Sequence, residues 1–95
     1  MESEVTMSYV NGQIISGEFD TNSNEFLLHS VKHHLTETSL KQSQVAQLYN
    51  YLKKHENEAG GQVVSLYDQL LVPLSSKETK AILRDLEQIQ YLYQE

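Results

Sequence analysis

The stretch Val5-Thr-Met-Ser-Tyr-Val10, then Asn11-Gly12, then Gln13-Ile-Ile-Ser-Gly17, decides how the N-terminal half folds. β-Forming residues flank an Asn-Gly pair, and both central positions of a type I′ turn need φ > 0, which Asn and Gly adopt at least cost. Pairing across such a two-residue turn sets Val10 opposite Gln13 and Tyr9 opposite Ile14. Val5, Met7, Tyr9 and Ile14 then share one face, with Val10, Ile15 and Phe19 on the other. Apolar residues on both faces require cover on both, or a bulge near Gly17 that resets the register.

Working outward, Asp20-Thr-Asn-Ser-Asn24 reads as a second turn, because Asp, Asn and Ser side chains bond their own backbone. Glu25-Phe-Leu-Leu-His-Ser-Val31 reads as a third strand, and residues 32–38 fit neither pattern clearly. Ser39 with Gln42 has capping-box spacing, and Val45, Leu48, Tyr49 and Leu52 recur with helical period. That helix stops at Gly60-Gly61. Val63, Leu66, Tyr67 and Leu70 mark a second helix, ended by Pro73. Ser75 with Glu78 opens a third, with Ile82, Leu86, Ile89 and Tyr93 on one face. The expected fold is α+β: a three-stranded antiparallel β-meander followed by three α-helices. The expected organisation is one domain over 1–95, with the meander in 1–38 and the helical half in 39–95.

A chain of 95 residues has room for one modest core. The net charge is −6, with six acids against one base in residues 1–38 and seven against six in 39–95. An acidic surface opposes binding to a phosphate backbone and suits a basic protein partner. The only adjacent cations, Lys53-Lys54, complement the end of a helix dipole. Cysteine is absent, which excludes disulfides, thiolate metal sites and thiol catalysis. With no signal-peptide pattern and no run long enough to span a membrane, a cytoplasmic setting is expected. Small size and acidity suit a bacterial or phage-encoded modulator.

No nucleophile elbow, phosphate loop or ordered triad is present, so the chain is read as a non-enzyme with no cofactor. His29, His33 and His34 cluster, and His29 with His33 share a face in either a helix or a strand, so a two-histidine metal site is geometrically open. Without a further ligand in frame, surface or half-buried histidines are the simpler reading. Tyr49, Tyr67 and Tyr93 fall on core stripes, whereas Tyr51 and Tyr91 fall off them. Exposed tyrosines anchor interfaces because they bring large area at small entropic cost. Leu83 and Leu92 also lie off the last helix's stripe, which points to a homodimer through that helix.

Residues Val10-Asn-Gly-Gln-Ile-Ile-Ser-Gly17, with Phe19 and then Phe26-Leu27-Leu28, resemble the first motif of Sm-like proteins. The resemblance implies a small, curved β-meander. It also implies an alternative function, RNA binding, which would use Lys32 and His33. The net charge favours the other reading: a small regulator or inhibitor acting through a protein interface. In that reading Tyr51, Tyr91, Leu83 and Leu92 make contact, and Glu18 and Asp20 steer a basic partner.

Overall fold

The computed structural model describes residues 7–58, 60–65 and 71–94. In chain order these form β1 (Met7–Asn11), β2 (Ile15–Asp20), β3 (Glu25–Val31), β4 (His34–Leu40), α1 (Gln42–Lys54), β5 (Gln62–Ser65), β6 (Leu71–Leu74) and α2 (Ser76–Gln90). The first four strands make an antiparallel sheet in sequential order, and β5 with β6 make a separate two-stranded sheet. The class is α+β, as expected. The architecture is not the expected three strands followed by three helices: it has four strands, two helices and a small second sheet.

The fourth strand was hidden by its turn. Val31 pairs with His34, so Lys32 and His33 are the two central residues of a tight hairpin, with φ of 49° and 71°. That is the geometry Asn-Gly was expected to supply, reached here without glycine or asparagine. The strand itself lies at the sheet's edge. Leu35, Glu37 and Ser39 face outward, and Thr38 and Leu40 turn inward. Ser39 pairs with Leu27, so α1 begins later than its apolar period suggests. Its cap is Lys41, whose N–H donates to Gln44 Oε1 at 2.7 Å.

At Asn11-Gly12 the turn is wider than two residues. Asn11 pairs with Ser16, and Gly12 N–H donates to the Ile15 carbonyl at 2.8 Å. The register of β2 against β3 does shift between Ser16 and Gly17, but the extra residue is His29 of β3, which brings Val31 to the inner face with Phe26 and Leu28. Ile15 and Phe19 face inward by the unbroken alternation of β2. Asp20 Oδ1 accepts from Asn22 N–H at 2.9 Å and closes the second turn.

The expected helix after Gly60-Gly61 is instead the β5–β6 hairpin. Its apolar spacing is helical, but the adjacent β-branched Val63-Val64 favours the strand. Pro73, expected to end a helix, sits within β6 at the edge of that sheet. Leu66, Tyr67 and Leu70 of the expected stripe lie outside the described residues. The last helix has the expected cap: Glu78 N–H donates to Ser75 Oγ at 3.1 Å, and Ser75 N–H to Glu78 Oε1 at 2.8 Å.

One apolar cluster joins all of these elements. Phe19, Phe26 and Leu28 of the sheet, Val45 and Leu52 of α1, Val64, Val72 and Leu74 of the small sheet, and Ile82, Leu86 and Ile89 of α2 belong to it. Leu83, expected outside the core face, is 4% exposed and also belongs to it. An apolar stripe wider than one residue per turn is what a helix needs when it packs on a sheet and on a second helix together. Tyr93 closes the cluster edge-on to Phe19, ring centroids 5.0 Å apart, and its hydroxyl donates to the Leu40 carbonyl at 2.6 Å. Burial pushes its phenol up to about 12. Asn24 and Gln94 exchange two hydrogen bonds of 2.8 Å, which fastens the end of the chain to the β2–β3 turn.

Candidate functional site

α1 and the small sheet part beside the end of β4 and leave a groove of about 370 Å³. Leu40 ends β4 at one side, Leu48 and Tyr51 rise from α1, and Val63 and Val64 come from β5. Gln47 and Ser65 are its polar members. The helix period explains the α1 contribution: Gln47, Leu48 and Tyr51 fall on the face opposite Tyr49, whose hydroxyl donates to Glu87 on α2 at 2.7 Å. Tyr51 is 49% exposed and Val63 54%, so both stand at the rim. The Tyr51 ring lies against His55 with centroids 4.7 Å apart, and His55 Nδ1 is 2.6 Å from Glu58 Oε2. A mainly apolar groove with two polar lining residues can hold an apolar side chain and orient the groups beside it.

The structure distributes the residues singled out in the sequence over several places. Tyr51 lines the groove. Tyr91 is 88% exposed but lies beside the α1–α2 contact with Gln42, Tyr49 and Glu87, so the two tyrosines do not make one surface. Leu83 is core and Leu92 is half-buried against the core, so of the residues expected to face a second copy through the last helix only Tyr91 is largely exposed. Glu18 sits on the outer face of the sheet, 3.8 Å from His29 Nε2. Its hydrogen bond with Tyr9 raises the Tyr9 phenol above its usual value. Asp20 is spent on its turn.

The three histidines do not converge with other ligands: among the described residues no group of three or more His, Asp or Glu could hold a metal ion. Lys32 is engaged as well. Its Nζ donates to the Pro73 carbonyl at 2.8 Å and lies 2.9 Å from Glu78 Oε1. The hydrogen bonds from Ser75 and Lys32 hold the Glu78 carboxyl below its usual range. Among the described residues the four-stranded sheet is an open antiparallel meander, with β1 and β4 as its edges.

Two features escaped the sequence reading. Leu40, Leu48, Val63 and Val64 form the groove only because the segment after Gly61 is a strand, for which Val63-Val64 was the available signal. The other is Asp85, 4% exposed in the middle of α2. Its carboxylate accepts the N–H groups of Gln13, Ile14 and Ile15 at 3.0, 2.7 and 3.0 Å. A Cβ on Gly12 would meet that carboxylate at 2.5 Å, so glycine is required there for close approach to α2. The loop between β1 and β2 is thus held by a side chain some seventy residues away. No protein-family model matches the chain, and no curated protein or solved structure compared with it does either.

Proposed function

We propose that the protein is a non-enzymatic binding module that takes an apolar side chain of a basic protein partner into the groove between α1 and β5. The observation that carries the proposal is the groove itself: apolar walls, an exposed tyrosine at the rim and an open side. Such a site rewards burial of one large side chain, and an aromatic rim residue excludes water around it. The net charge of −6 supports a basic partner, since complementary charge raises the encounter rate. Asp85, Glu78 and Asp20 are committed to the hold on the β1–β2 loop, to a helix cap and to a turn, which favours a binding role for the protein.

Selection of an unconstrained peptide library on the intact chain tests the proposal. The expected winners share a large apolar residue flanked by Lys or Arg. Their binding weakens about tenfold or more in Tyr51→Ala and Val63→Glu, both at exposed positions that leave the core intact. Failure to enrich any peptide, or equal binding to both variants, would contradict it.

A further inference from the structure

The two edges of the β5–β6 sheet are built differently. Pro73 stands opposite Val63. Proline has no N–H, and the Pro73 carbonyl is taken by Lys32 Nζ at 2.8 Å. The polar groups of residue 73 therefore point away from β5, which makes 63/73 a non-hydrogen-bonded pair of the antiparallel ladder. By the same alternation, the N–H and C=O of Val63 point away from β6, and so do those of Ser65, two residues on. The outer edge of β6 is closed by a proline and a lysine, two of the devices that keep an edge strand from pairing. The outer edge of β5, residues Gln62-Val-Val-Ser65, has neither. Among the described residues no strand pairs with it, and Val63 and Ser65 both border the groove.

We infer that β5 accepts an extended segment of the partner as an added third strand, with one side chain of that segment seated over Leu48 and Tyr51. The inference rests on the reading of the groove as the partner site and specifies its mode. Main-chain bonds to Val63 and Ser65 supply register and affinity, while the groove selects the side chain, the division of labour seen in strand addition generally. The occupant is a basic, extended peptide. A helix cannot offer N–H and C=O groups to Val63 and Ser65, because its own are paired internally. A chain of net charge −6 favours cations at the positions pointing away from the groove.

The experiment uses peptides selected on the intact chain. Amide hydrogen exchange is read by NMR on the free protein and with saturating peptide. The Val63 and Ser65 amides should slow by roughly tenfold or more on binding, while Val64, already bonded within the hairpin, changes less. N-Methylation along the peptide should abolish binding at alternate positions only. Peptides that need Tyr51 but leave Val63 and Ser65 exchange unchanged, and tolerate N-methylation throughout, would overturn strand addition and leave the groove as the partner site. Failure to select any peptide would overturn both.

Discussion

Asp85→Ala should be the most disruptive single truncation of a polar side chain in this protein. Three backbone N–H groups lose their acceptor at once. Ile15 is fully buried, and an orphaned buried donor costs about 1–3 kcal/mol. Gln13 and Ile14 are less enclosed and recover water in part, which adds about 1 kcal/mol for the pair. The sum, about 2–4 kcal/mol, is a large share of the roughly 5–14 kcal/mol expected for a chain of this length. It corresponds to a fall in Tm of the order of 10–30 °C. Asp85→Asn keeps one acceptor oxygen and should lose about half as much. Gly12→Ala alone should cost about 1–3 kcal/mol, because its Cβ overlaps the carboxylate. In the Asp85→Ala background that overlap is gone, and the same substitution should cost less than about 0.5 kcal/mol. Urea denaturation followed by far-ultraviolet circular dichroism on the four proteins measures the cycle. An Asp85→Ala cost below about 1 kcal/mol, or additive costs for the two positions, would refute the clamp.

Tyr93 makes stability fall with alkali. Its phenol is raised to about 12 in the fold from about 10, so its contribution is complete below about pH 10 and is lost as pH rises through about 12. Tyr93→Phe should flatten that limb of a pH–stability curve while costing about 1 kcal/mol at neutral pH for the lost bond to Leu40. Glu78 acts in the opposite direction. Its lowered pKa gives a contribution present above its ordinary value of 4.5 and lost as pH falls below it. Glu78→Gln should therefore blunt acid unfolding, as followed by circular dichroism. His33→Gly should stabilise the protein by about 0.5–1 kcal/mol in thermal melts, since it relieves a left-handed side-chain residue and leaves Lys32 bonded to Glu78. Leu83→Ala should cost about 2–5 kcal/mol in the same assay, as a core truncation does, whereas Tyr91→Ala should leave stability unchanged.

Local chemistry made some of this structure legible and non-local contacts hid the rest. Ser75 and Glu78 declare the start of α2 by their spacing, and Asp20 declares its turn, because each bond closes within a few residues. Phe19, Phe26 and Ile82 declare a core by apolarity alone. Asn11-Gly12 pointed to a tight turn, but the three-donor hold of Asp85 opens that loop. The positive φ angles went to Lys32-His33, where bonds from Lys32 to Pro73 and Glu78 offset the strain. β4 is hard to read in the sequence because an edge strand with an exposed face needs few apolar residues. β5 reads as a helix in the sequence because Val63 has helical spacing with Leu66, Tyr67 and Leu70, and a strand of four residues is too short to impose an alternation of its own. The groove depends on that strand, so of its walls only Tyr51 was singled out as a binding residue.

Chemical-shift mapping of a selected basic peptide on the labelled protein tests the central claim most directly. The binding account predicts that the largest changes fall on Leu48, Tyr51, Val63 and Val64, and that they vanish in Tyr51→Ala. Changes centred on Tyr9 and Leu35 of the outer sheet face, or on Tyr91, with the groove resonances unmoved, would contradict it.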